Sequence, residues 1–141
     1  MKNNLVLLFF LIMTGFTLTA QCSEAYSAAT YALSHTKKSL KANNFDHQQF
    51  YAEKAYESFE KIKNLIDDCN CSKAVDPVLD GLENLDSALE PRNWDVGRHY
   101  AKKAFANAAD LIFELDSCSE SAKKLDSEKE ETMTPSTSQN N

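Results

Sequence analysis

The stretch DDCNCSKA, residues 67–74, places two of the four cysteines of this 141-residue chain one residue apart. When the sequence is shifted by 49 residues, Cys22–Cys69 aligns with Cys71–Cys118 without a gap, and 13 of the 48 aligned pairs are identical. Chance pairing in a chain of ordinary composition gives about three identities. The stretch is therefore interpreted as the junction of two tandem repeats, 22–69 and 71–118, with Asn70 as the linker.

Each repeat has the pattern of a helical hairpin. Apolar residues recur every three or four positions, and the pattern breaks at residues 43–46 in the first repeat and 91–95 in the second. Such spacing makes one face of an α-helix apolar. The sequence therefore predicts an all-α fold, a four-helix bundle made of two tandem hairpins of about 49 residues, each closed by a disulfide.

Several residues carry signals for helix ends. Asp46 and Asp95 follow the two breaks and are expected as N-caps, because an aspartate oxygen can accept from the unpaired amides of a first helical turn. Gln49 lies three residues after Asp46 and would complete a capping box. Asp76 followed by Pro77 predicts that the third helix begins near Pro77.

The cysteines should meet at one pole of the bundle. A hairpin begins and ends at the same pole, so Cys22 is expected near Cys69, and Cys71 near Cys118. Four cysteines allow three pairings, and only Cys22–Cys69 with Cys71–Cys118 makes the two repeats equivalent. The alternative at this pole is a zinc site of four cysteines, although the two-knuckle spacing typical of such sites is absent.

The N-terminus has the pattern of a secretory signal peptide over residues 1–20. A basic start containing Lys2 precedes an uncharged apolar run from Leu5 to Leu18, and Ala20 offers a small residue at the cleavage site. The run is shorter than the roughly 20 apolar residues of a membrane-spanning helix. We expect export to the periplasm or the extracellular space, with no stable membrane insertion after cleavage. The alternative is a lipid anchor on Cys22.

Charge and composition narrow the partner classes. Net charge is −6 for the whole chain and becomes −7 once the signal segment with Lys2 is removed. Nucleic-acid binding usually needs an excess of Lys and Arg, so the acidic balance of this chain argues against a nucleic-acid partner. Residues 21–118 are expected to form one domain, and the polar segment 119–141 is expected to be a disordered tail.

No sequence motif indicates catalysis. The chain has no glycine-rich phosphate loop, no His-Glu-x-x-His and no Gly-x-Ser-x-Gly, and the three histidines occupy unrelated positions in the two repeats. The prediction is a protein that is not an enzyme and that has no cofactor or metal ligands.

The hairpin tips carry the candidate binding residues. Phe45 and Trp94 align in the two repeats, next to the expected caps, and Arg92 lies two residues before Trp94. Each aromatic residue could pack back onto its own helix as a hydrophobic staple or contact a partner, since aromatic residues and arginine are enriched at binding hot spots. The expected function is an exported protein-binding or structural module. The alternative is a carrier of a small ligand or metal, with a pocket between the helices or the four-cysteine zinc site.

Overall fold

The computed structural model describes the backbone of residues 17–132 and the side chains of residues 22–121. This part of the chain is helical, without strands, so the predicted all-α four-helix fold is confirmed. Its elements are α1 (Thr17–Lys41), α2 (Phe45–Leu65), a short 3-10 turn (Ser72–Ala74), α3 (Val75–Leu89) and α4 (Trp94–Thr132).

The helices pack in pairs around one core. The most extensive contacts join α1 to α2 and α3 to α4, the two pairs that are linked by short connections. The pairs meet along α1 with α4 and along α2 with α3, whereas α2 and α4 touch only locally. The connections at residues 42–44 and 90–93 therefore lie at one end of the bundle, the tip pole, and the α2–α3 junction lies at the other, the cysteine pole.

The core is built mainly from alanines with a few large side chains between them. Small side chains let helices approach closely, and the larger ones fill the remaining space. Aligned positions of the two repeats are buried alike, for example Ala55 with Ala104 and Ile62 with Leu111. The repeat itself stays a prediction from the sequence, and this agreement is consistent with it. The largest fully buried apolar residues are Phe59, Ile62, Val78, Leu85 and Leu111.

The N-caps of α2 and α4 are asparagines, so the prediction of Asp46 and Asp95 as caps was wrong. Asn44 has extended backbone angles, and its Oδ1 accepts from the His47 amide at 2.8 Å. Asn93 Oδ1 accepts in the same way from the amide of Val96 at 3.0 Å. The two aspartates lie in the first helical turn, where their charge favourably meets the helix dipole.

Gln49 also acts differently from expectation, whereas α3 begins close to the predicted position. Gln49 makes no capping box, because its Nε2 donates instead to the carbonyl oxygen of Leu89 at 2.7 Å and so ties α2 to the end of α3. Helix α3 begins at Val75, directly after the 3-10 turn, and Pro77 falls in its first turn, where a missing amide hydrogen costs no helical hydrogen bond.

The ends of the chain are described only in part. Residues 1–16 of the predicted signal peptide lie outside the described residues, and the backbone of 17–20 belongs to α1. Helix α4 continues to Thr132, past Ser119, where the disordered tail was expected to start. Glu, Lys, Ala and Leu in that segment are good helix formers. Residues 133–141 of the expected tail lie outside the described range. Within residues 17–132, no helix combines the length and apolarity needed to cross a lipid bilayer.

Candidate functional site

The two hairpins touch directly at the tip pole. The side chain of Gln48 in α2 lies against Gly97 in α4, so closely that a methyl group on Gly97 would overlap the Gln48 amide. The same added methyl would lie 3.1 Å from Cγ of Pro91. Together with the hydrogen bond from Gln49 to Leu89, this contact joins the start of α2 to the start of α4 and to the end of α3.

Phe45 and Trp94 lie one helical turn beyond this contact. Each is the first residue of its helix and follows the asparagine cap, so the staple interpretation, which requires the position before the cap, does not apply. Trp94 is 37% exposed, and the Arg98 guanidinium lies 5.7 Å from its ring centre. Phe45 is half-buried and Arg92 is exposed. Phe45, Arg92, Trp94 and Arg98 are called the tip surface below.

A groove between α1 and α2 was not identified from the sequence. It has a volume of about 480 Å³. Five side chains give it its character, and we call it the basic groove: Lys37, Lys38, Lys41, His47 and Tyr51. The ion pairs among the described side chains are Lys54–Glu57 and Lys61–Glu24, so none of the groove lysines has an acidic partner there. The sequence feature that could have indicated this groove is the group of three lysines within residues 37–41.

Aromatic rings continue from the basic groove along the outside of the same hairpin. Tyr31 stacks on His35 with 6.4 Å between ring centres, and His35 stacks on Tyr51 at 6.3 Å. Phe50 meets Tyr51 edge-on at 5.2 Å, and Lys38 Nζ lies 5.5 Å from the centre of the Tyr51 ring.

The surroundings of the histidine in this row lower its pKa. Burial lowers the pKa of His35, the positive charges of Lys38 and Lys54 lower it further, and Glu57 opposes them only in part. Its Nδ1 is buried without a hydrogen-bond partner in the protein.

At the cysteine pole, Cys71 and Cys118 form a disulfide with 5.8 Å between their Cα atoms, which agrees with the predicted pairing. Cys22 and Cys69 are thiols. Burial, the neighbouring Cys22 thiol and Asp68, in decreasing order of effect, together raise the pKa of Cys69 to about 12. The two thiols are thus close together but unbonded, and the Cys22–Cys69 bridge stays a prediction.

This arrangement is incompatible with the four-cysteine zinc alternative. Two of the four sulfurs are consumed by the Cys71–Cys118 bond, whereas a structural zinc site of that type needs four thiolates around one ion. No other cluster of three or more metal-binding side chains occurs among the residues that the structure describes.

The basic groove opens at the surface of the bundle and does not enter the core that the four helices enclose. The interior is filled by side chains such as Phe59, Leu85 and Leu111, each with no exposed area. A second groove of about 360 Å³ lies at the α2–α3 junction and includes Ile66, Val78 and the 47% exposed Leu79.

Comparisons with protein-family models, with curated proteins and with solved structures found no match to this chain. The tip surface, the basic groove and the cysteine pole are therefore the features of the molecule that bear on its function.

Proposed function

We propose that this chain is an exported, non-catalytic helical-bundle protein that binds a protein partner through the tip surface. The observation that carries the proposal is the contact of Gln48 with Gly97. Through it, Phe45 and Trp94, which come from separate hairpins, belong to one end of the bundle. Tryptophan and arginine are the residues most enriched at binding hot spots, and an aromatic ring under a guanidinium is a common recognition element.

Export is proposed from the signal-like N-terminus and is supported by the disulfide. Bonds such as Cys71–Cys118 persist in oxidising compartments, which include the periplasm and the extracellular space. A lipid anchor on Cys22 is disfavoured, because its half-buried side chain adjoins the thiol of Cys69. Intact mass of the exported protein tests both points, since cleavage after Ala20 and a lipid on Cys22 give different masses.

The partner proposal is tested by removing both aromatic side chains of the tip surface, in the double variant F45A/W94A. We expect loss of the partners that cross-link to wild type in the native exported fraction, while helicity by circular dichroism stays unchanged. The matched control is F113A, which removes a 68% exposed aromatic side chain about 28 Å away along α4. Equal partner recovery by F45A/W94A and wild type, or equal loss by F113A, would refute the proposal.

The alternative function is that of a small-ligand carrier, and the basic groove is the observation that favours it. The groove contains unpaired cationic side chains in a concave surface of ligand size, since small-molecule sites commonly span about 300–1,000 Å³. It lies beside the tip surface without including any of its four residues. The two functions can therefore be separated by substitution.

A further inference from the structure

We propose that the basic groove binds the phosphate or carboxylate group of a small, soluble organic anion. The inference goes beyond the proposed partner binding, because the residues that carry it differ from those of the tip surface. It concerns Lys37, Lys38 and Lys41 near the end of α1, and His47 and Tyr51 near the start of α2.

The lysines of the basic groove carry positive charge that no acidic side chain among the described residues neutralises. The whole chain has a net charge of −6, so acidic side chains are abundant, yet none of those described pairs with a groove lysine. Three ammonium groups around one concave surface repel one another, and an anion bound between them would relieve that repulsion. Lysine is a common ligand of phosphate and carboxylate groups in proteins.

His47 lines the groove and offers a ring N–H as a hydrogen-bond donor. Asn44 Oδ1 accepts from the His47 backbone amide at 2.8 Å, which fixes the orientation of the Asn44 side-chain amide. Its Nδ2, which can only donate, then lies 3.4 Å from His47 Nδ1. When the ring is uncharged, this contact favours Nδ1 as the acceptor and the ring proton on Nε2. The N-cap thus leaves Nε2–H as a donor.

The second hairpin shows that the fold does not require this charge. The positions that align with Lys37, Lys38, Lys41 and His47 are Asp86, Ser87, Glu90 and Val96, whereas the tyrosine is kept as Tyr100. The α3–α4 pair packs as α1–α2 does, so a hairpin of this kind forms with acidic residues at the same places.

The helix dipole explains only part of the cluster. Lys38 and Lys41 lie in the last turn of α1, where the negative end of the helix dipole stabilises them. The dipole does not explain His47, because the start of α2 is the positive end of a dipole and favours anions. An anion in the groove would be attracted by the lysines and by that helix end together.

The polar interior behind the groove also belongs to the first hairpin. Thr36, Ser39 and Gln48 are fully buried, and both amide atoms of Gln48 lack a hydrogen-bond partner in the protein. The aligned residues of the second hairpin are Leu85, Ala88 and Gly97. Departures from an apolar core tend to concentrate at functional sites. The buried polar residues and the lysines of the groove both occur in the first hairpin, which favours a functional site there.

The anion is assigned as soluble rather than as a lipid headgroup. A chain of net charge −6 is repelled by an anionic membrane surface, and a local groove can still take up a small ion. The test therefore uses inorganic phosphate and citrate as soluble probes, and vesicles containing phosphatidylglycerol as the lipid source. Binding is followed by nuclear magnetic resonance of the disulfide-bonded mature protein, through the signals of His47 and Tyr51.

The groove variant K37Q/K38Q/K41Q is compared with K73Q/K102Q/K103Q, which removes the same charge elsewhere. We expect saturable shifts for at least one soluble probe in wild type and in the control, and at least about tenfold weaker binding in the groove variant, or about 1.4 kcal/mol. Circular dichroism verifies that each variant is folded.

Three results would overturn the proposal. The first is that neither soluble probe causes a saturable shift in the signals of wild type. The second is that K73Q/K102Q/K103Q weakens probe binding as much as K37Q/K38Q/K41Q does. The third is that wild type binds the vesicles but neither soluble probe. F45A/W94A should bind the soluble probes as wild type does, which separates a failure of the groove from a failure of the tip surface.

Discussion

The ring of Phe59 in α2 fills the space that the missing side chain of Gly81 leaves on α3. A methyl group on Gly81 would lie 2.6 Å from Cζ and 2.9 Å from Cδ1 of that ring, which is well inside van der Waals contact. At the aligned positions, Ala108 corresponds to Phe59 and Ala32 to Gly81. The contact between α2 and α3 therefore pairs a large residue with glycine. The aligned residues on α4 and α1 are both alanine.

Gly81→Ala should destabilise the protein by about 1–3 kcal/mol, because overpacking against Phe59 exceeds the gain in helix propensity. That gain is about 1 kcal/mol. The measurement is the free energy of unfolding in urea. In a Phe59→Leu background the smaller side chain leaves room, so the same substitution should be neutral or stabilising. A Gly81→Ala variant at least as stable as wild type would contradict the packing argument.

Gln48→Met should raise the free energy of unfolding by about 1–3 kcal/mol, because it removes a buried amide that lacks partners in the protein. Methionine has a similar length and fits irregular space. Gln49→Met is the control. It breaks the 2.7 Å hydrogen bond to the Leu89 carbonyl and should lower stability by about 1 kcal/mol. Thermal unfolding compares the two, and a lower melting temperature for Gln48→Met would rule out the explanation.

Substitution of the asparagine caps should cost more than substitution of the aspartates. Asn44→Ala and Asn93→Ala each remove a bond to a first-turn amide and should lower stability by about 0.5–2 kcal/mol. Asp46→Ala and Asp95→Ala remove only a favourable interaction with the helix dipole, about 0.3–1 kcal/mol. Urea unfolding of the four variants gives the ranking, and the opposite order would restore the aspartates as caps.

Loss of the Cys71–Cys118 bridge should reduce stability by about 4 kcal/mol in the chain-entropy model, given the sequence separation of 47 residues. The comparison is made in a Cys22→Ser/Cys69→Ser background, where no thiol can exchange with the bridge. Urea unfolding with and without the added substitutions Cys71→Ser/Cys118→Ser measures the difference. A change below about 1 kcal/mol would show that the disulfide constrains little of the unfolded chain.

The Cys69 thiol should make stability fall at high pH in protein that retains this thiol. Its pKa is about 12 in the folded state, compared with about 8.5 in an unfolded chain. Between those values the folded state keeps a proton that the unfolded state has lost, so the free energy of unfolding decreases as pH rises, and it is unaffected below about 8.5. The stability difference between wild type and Cys69→Ser should therefore change between pH 7.5 and pH 10, at the expense of wild type.

A difference that stays constant over that range would contradict the shifted pKa. Intact mass is recorded first, because a Cys22–Cys69 bridge lacks the titrating thiol and makes the protein two hydrogens lighter. Protein with that bridge would confirm the predicted second disulfide.

The helices were predictable because their signals are local. The period of apolar residues and the breaks at residues 43–46 and 91–95 lie within short windows of sequence, and α1 to α4 follow them. The caps were misplaced by two residues, because Asn44 and Asp46 have equally suitable side chains. Only the backbone angles of Asn44 decide which oxygen reaches a free amide.

The candidate site was predictable in its residues more than in its geometry. Phe45, Trp94 and Arg92 stood out by alignment and by type, whereas the basic groove combines lysines of α1 with His47 and Tyr51 of α2. The lysines of α1 and the pair His47 and Tyr51 of α2 are separate features in the sequence. Local sequence does not specify how one helix is rotated against the other, so it does not show that these residues share a groove.

By itself, the sequence determined the helical class, the two hairpins and the pairing of Cys71 with Cys118. Helical periodicity and cysteine spacing depend only on the positions of residues along the chain. The tertiary structure alone decided that Gln48 meets Gly97 and that Phe59 covers Gly81. Those contacts join residues that are distant in sequence, and they depend on how the helices rotate and approach until their side-chain volumes fit.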